Sequence, residues 1–175
     1  MTGDTTTTRG GQRRKGPAPR TRTRNRSKAI GTAAETAVVR YLRANGWPAA
    51  ERRALKGVLD EGDITGTPGI CWEVKARSRP VSDEQITAWL VETEIERANA
   101  GAEIGILVIR RPGFGTANVG RWWAVLRLGA LLTDDEHAWA LMGPDVGDAP
   151  VHMHLSTAVA YLRAAGYGTS DGGVS

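Results

Sequence analysis

Glu35, Asp63, Glu73 and Lys75 are the side chains whose types and order can assemble a site for phosphodiester chemistry. Hydrolysing a phosphodiester needs a nucleophilic water, neutralisation of charge on the scissile phosphate and support for the leaving oxygen. Hard divalent cations supply all three, and carboxylates bind such cations. In Cys71-Trp72-Glu73-Val74-Lys75 the two-residue strand period puts Glu73 and Lys75 on one face, roughly 7 Å apart along the chain, with Trp72 and Val74 on the other. Asp63 and Glu73 are then candidate ligands for Mg²⁺ or Mn²⁺. Lys75 can orient the attacking water, deprotonate it or stabilise developing charge. Asp60 and Glu61 make the preceding loop acidic, and Asp60 can add to or replace Asp63 as a ligand.

Geometry sets a condition on this reading. Opposed residues of an antiparallel pair point to the same face, so pairing Thr65 with Ile70 would set Asp63 against Trp72 and away from Glu73. An odd loop or a bulge is therefore expected between the two strands.

The elements that must position these residues follow from periodicity. Ala34, Val38, Tyr41 and Leu42 predict a first helix over about 31–45, ended by Gly46 before Pro48. Residues 49–56 read as extended chain. A hairpin follows, with strands at about 63–65 and 70–76 joined through Gly66-Thr67-Pro68-Gly69. Ser82 and Gln85 have the spacing of a capping box, and Ile86, Trp89, Leu90 and Thr93 form the buried stripe of a second helix to about Ala100. The apolar run 104–109 predicts a central strand covered on both faces. Residues 121–126 read as another strand, 127–150 as short helical turns and irregular chain, and 156–165 as a last helix. Such an order describes an α/β sandwich with a mixed sheet.

The chain has 175 residues, enough for one domain with a real core. Its net charge of +4 conceals an asymmetry: residues 1–28 hold nine Lys or Arg and one acid, and residues 29–175 hold fourteen and eighteen. A Thr/Arg/Gly/Pro segment with few apolar residues cannot offset its ordering entropy, so 1–28 reads as a disordered basic tail that attracts phosphates, and 29–175 as the folded domain. No apolar run reaches the length of a membrane span. A soluble, cytoplasmic protein associated with the nucleoid through DNA is expected. The single cysteine, Cys71, excludes an internal disulfide and reads as a buried small hydrophobe.

Gly31-x-x-Ala34-Glu35, Gly46-Trp47, Gly62-Asp63-Ile64, Glu73-Val74-Lys75 and Arg121-Trp122-Trp123 together resemble the PD-(D/E)xK nuclease superfamily over residues 29 to about 126. Within it they are most similar to archaeal-type Holliday junction resolvases. The resemblance implies a restriction-endonuclease-like α/β/α sandwich and an Mg²⁺-dependent deoxyribonuclease acting in recombination, repair or replication. It also implies catalytic roles for Glu35, Asp63, Glu73 and Lys75, with metal held by Asp63, Glu73, the Val74 carbonyl and Glu35. Symmetric incision of a four-way DNA junction calls for two sites at fixed spacing, hence a homodimer. Two departures stand out: Gly62 replaces the proline of the Pro-Asp pair, and nothing after about Leu132 has a counterpart. A RecB-like exonuclease or a restriction-type endonuclease of the same fold, and a catalytically silent DNA-binding module, are the alternatives.

Further candidates surround this core. Gln85 can line the site or cap the second helix. Arg52, Arg53 and Lys56 can bind a phosphate, as can Arg110 and Arg111 beside Phe114, and whichever of Trp122 and Trp123 is exposed can stack on DNA or fill a dimer interface. His152 and His154 share a strand-like face without a third zinc ligand nearby.

Overall fold

Six consecutive buried residues, Ile104–Ile109, form a strand with a neighbour on each edge and helices on each face. The computed structural model of the chain describes residues 20–54, 59–77, 79–132 and 146–169, with only the backbone course described for 20–25. Its elements are α1 (Arg20–Ala44), β1 (Glu51–Arg52), β2 (Ile64–Thr65), β3 (Ile70–Lys75), α2 (Asp83–Asn99), β4 (Ile104–Ile109), β5 (Trp123–Arg127), β6 (Pro150–His154) and α3 (Leu155–Ala164). Short 3-10 helices precede and follow β5, at Thr116–Arg121 and Leu128–Leu131.

The sheet has six strands in the order β1-β2-β3-β4-β5-β6. Only β3 and β4 run parallel, and they are joined by α2, as a parallel pair requires a crossover. The fold is α/β with a mixed open sheet, compatible with an α/β sandwich. Alternation sorts the two faces: Ile70, Trp72 and Val74 of β3 join Ile104, Ile106 and Val108 of β4 against α1 and α3 in the larger core. On the opposite face Leu107, Ile109 and Val125 pack against Trp89 and Leu90 of α2. Trp72 and Trp47 are both buried and meet edge to face, with centroids 6.4 Å apart.

Three expectations need correction. Helix α1 begins at Arg20, not near Gly31, so residues 20–28 of the expected disordered tail are helical. Arginine is a strong helix former and carries the helix outward from its buried half; Pro19 stands just before its first turn. Residues 1–19 lie outside the described residues. The second correction is one of extent: the strand-like face of His152 and His154 belongs to a strand that already begins at Pro150, and this β6 pairs antiparallel with β5, with Ala124 opposite Met153 and Leu126 opposite Val151. Thirdly, residues 116–121 coil as a 3-10 helix, so the strand read from Arg121 begins at Trp123. Among the described residues no helix is long and apolar enough to cross a membrane.

The hairpin satisfies its geometric condition. Ile64 lies opposite Trp72, so the register extended by one step sets Asp63 against Glu73. The Asp63 N–H donates to the Trp72 carbonyl at 2.8 Å, at the point where β2 begins. Two glycines make the bend possible. Gly66 has φ +76°, and a Cβ there would lie 2.0 Å from the Ala49 carbonyl oxygen. Gly62 has φ +86°, with the Cys71 sulfur 2.7 Å and the Trp72 carbonyl oxygen 2.9 Å from where its Cβ would be. Proline, fixed near φ −65°, cannot take this place.

Candidate active site

Asp63, Glu73 and Lys75 converge at the end of β3. The Val74 N–H donates to Asp63 Oδ2 at 2.8 Å, tying the aspartate to the strand that carries the other two. Within one strand residue the N–H and carbonyl point the same way, so the Val74 carbonyl also faces the β2 side, where Asp63 lies. Lys75 Nζ lies 2.6 Å from Glu73 Oε1 and 3.2 Å from Glu92 Oε2 of α2. Both Glu73 and Lys75 are largely shielded from solvent.

A cleft of about 550 Å³ opens beside this cluster, lined by Glu35, Arg52, Arg53, Asp60, Glu61, Asp63 and Glu73. Glu35, from α1, reaches the cleft but is held by Arg52, whose Nε donates to Glu35 Oε2 at 2.7 Å. Arg53 is likewise paired, with Glu61 at 2.5 Å. The two arginines read as phosphate ligands therefore neutralise carboxylates of the cleft wall. Asp60 is exposed, and its Oδ1 accepts the Gly62 N–H at 3.3 Å.

Burial governs the protonation of these acids. It pushes Asp63 up to about 7, reinforced by the charge of Glu73 and opposed by the Val74 hydrogen bond. Glu73 also rises to about 7 through burial, which the Lys75 contact only partly offsets. A third acid joins them: Glu96 of α2 is 6 % exposed, rises to about 7 through burial and the nearby Asp60, and hydrogen-bonds Glu73. Its Oε2 has no hydrogen-bond partner among the described residues. Lys75 behaves oppositely. Burial disfavours its ammonium, but Glu73 and Glu92 outweigh that and hold its pKa above the ordinary lysine value. Cys71 is pushed up to about 12 by burial and is inert as a nucleophile.

The donor set fits a hard divalent cation. Asp63, Glu73 and the Val74 carbonyl offer oxygen ligands on one edge, and an added positive charge would replace the protons that the buried acids otherwise retain. Among the described residues no three His, Cys, Asp or Glu side chains close on one point; Mg²⁺ commonly takes one or two carboxylates and keeps several waters. The chain matches no protein-family model, no curated protein and no solved structure.

The remaining candidates divide between other surfaces. Gln85 is exposed on the first turn of α2, where its N–H donates to Ser82 Oγ at 3.4 Å, and it borders a different groove from the acids. Arg111 lies across the faces of Phe114 and Trp123, at 4.6 and 4.5 Å from the centroids, and its Nη1 is 3.1 Å from His154 Nε2. Arg110 lines a separate recess with Ala34 and Trp122. Trp122 is buried and donates to the Phe114 carbonyl, while Trp123 is half-buried and stacks on His154. Lys56 lies outside the described residues. Glu96 is the site residue that sequence reasoning missed. Its signal was present, since it continues the Trp89 and Thr93 stripe of α2 at helical spacing with a carboxylate where an apolar residue belongs.

These acids make stability depend on pH. Their folded pKa values, about 7, stand above ordinary values of 3.8 and 4.5. Their contribution is thus complete below pH 4 and is lost as pH rises through 7. Thermal melts in chelator are expected to show at least about 2 kcal/mol less stability at pH 8 than at pH 5, a fall of about 5 °C or more. A melting temperature that rises over this interval would contradict the protonated cluster.

Proposed function

We propose that the protein is a metal-dependent DNA endonuclease with a restriction-endonuclease-like α/β/α fold and a PD-(D/E)xK-type site. The observation that carries this reading is the Asp63 carboxylate bound to the Val74 N–H beside Glu73, with Lys75 in contact with Glu73 on the same strand. A cluster of buried carboxylates repels nucleic acid, so a protein that only bound DNA would gain nothing from it.

In this reading Asp63, Glu73 and the Val74 carbonyl hold the cation. When bound, it supplies charge neutralisation on the phosphate and acidifies the attacking water. Lys75, kept as an ammonium, orients that water through a donated hydrogen bond and stabilises the charge developing on phosphorus-bound oxygens. The oxygen of water forms a bond to phosphorus as the bond to the leaving sugar oxygen breaks; the proton of that water passes to bulk solvent, and the leaving oxygen takes one from solvent. Glu96, behind Glu73, holds a proton when the cluster lacks its counter-charge. Of the possible substrates, a four-way junction is the one the resemblance favours, and its symmetric incision calls for a two-fold dimer.

Two measurements test the proposal together. Millimolar Mg²⁺ is expected to raise the melting temperature by several degrees at pH 8 and by much less at pH 5, where protons compete for the carboxylates. Labelled four-way junction is expected to be nicked symmetrically with Mg²⁺ and to stay intact in EDTA. Degradation from DNA ends would redirect the reading to an exonuclease. Neither stabilisation nor cleavage with Mg²⁺ or Mn²⁺ would sink it.

A further inference from the structure

Arg77 and Arg79 follow Lys75 at two-residue spacing just past the end of β3. Arg77 shares the face of Lys75, because both lie over the ring of Trp89, at 5.5 and 5.9 Å from its centroid. Trp89 is itself buried, so it acts as a fixed floor on which the two cations rest. Beyond Lys75 this floor opens into a groove of about 360 Å³ lined by Arg77, Arg79, Ser82, Gln85 and Trp89 among others, with no acid among the described residues of its wall.

The two arginines differ from those of the acidic cleft. Arg52 and Arg53 are each committed to a carboxylate, whereas neither Arg77 nor Arg79 forms an ion pair among the described residues. Both are exposed. Asp83 and Glu84 occupy the first turn of α2 but do not line the groove. Two uncommitted guanidiniums, one of them propped on a ring shared with Lys75, are suited to an anion that continues outward from the scissile bond.

We infer that this groove binds a backbone phosphate of the nucleic-acid strand on the Lys75 side of the cleaved bond, gripped by Arg77 and Arg79. The inference rests on the nuclease reading for its substrate but concerns binding, not cleavage. The acidic cleft then receives the scissile phosphate with its cation, and the arginine groove fixes the register of the strand.

The test uses the full chain in EDTA, with a fluorescent four-way DNA junction as probe over a salt series. Arg77→Ala/Arg79→Ala is expected to weaken binding about tenfold or more and to lower the magnitude of the slope of log K against log salt by about one, as loss of one phosphate contact requires. Arg77→Lys/Arg79→Lys keeps the charges and should keep most of the slope. An alanine pair with the slope and affinity of the unaltered protein would overturn the inference, as would absence of binding by the unaltered protein. Cleavage with Mg²⁺ is read separately. A lowered slope without any cleavage would uphold the groove and reject the nuclease, and cleavage with an unchanged slope would do the reverse.

Discussion

Glu73→Gln is expected to lower the rate of phosphodiester cleavage by about 10³-fold or more while leaving the fold at least as stable. Glu73 touches every other member of the site: it contacts Lys75, hydrogen-bonds Glu96 and shares its charge with Asp63. Glutamine keeps the shape but removes the negative charge that would bind a cation and that holds Lys75 in place. The same change relieves the fold, because three neighbouring acids raised to about 7 cannot all ionise at neutral pH without repulsion. The melting temperature of the variant at pH 8 should therefore equal or exceed that of the parent, and its dependence on pH should flatten. Single-turnover cleavage at saturating Mg²⁺, beside thermal melts at pH 5 and 8, separates this from simple unfolding. Activity within tenfold of the parent would remove Glu73 from the centre of the mechanism.

Trp72→Ala should have the largest effect on stability, costing about 4 kcal/mol and lowering the melting temperature by roughly 10 °C. Trp72 is fully buried in the larger core and packs edge to face on Trp47, so its loss leaves a void that α1 and the sheet cannot close. Its indole Nε1 has no hydrogen-bond partner. Trp72→Phe removes that unpaired donor along with part of the ring and is expected to cost clearly less, about 1–2 kcal/mol. Urea melts of the two variants provide the comparison, and equal losses would mean that the void is filled by relaxation. Because Trp72 precedes Glu73 on the same strand, the alanine variant also loosens the site from behind.

How legible this was from the residues depended on where each element finds its partner. β4 coincides with its apolar run, and α2 lies within a residue or so of its Ser82 cap and its closing Gly101, because buried continuity and caps are local signals. The Asp63 register was legible as a condition, since the chemistry requires Asp63 and Glu73 on one face and only certain loops allow it. β6 was not. Its alternation of Val151 and Met153 with His152 and His154 spans five residues begun by a proline, and its strand character comes from pairing with β5. Glu96 was hidden for a related reason: a carboxylate on a helix reads as surface until the strand that covers it is known. The start of α1 at Arg20 is not legible, because a charged stretch lacking apolar residues carries no helical periodicity. The buried half of α1 anchors the rest.

The conformation of Gly62 also bears on how such a chain can change over generations. With φ at +86° and a sulfur and a carbonyl oxygen crowding the missing Cβ, the position accepts neither an ordinary side chain nor proline. Any single substitution at 62 would strain the turn that sets Asp63 opposite Glu73. Glycine at 62 therefore acts as an evolutionary ratchet, because the loop from Asp60 and the start of β2 must shift before any exchange is tolerated.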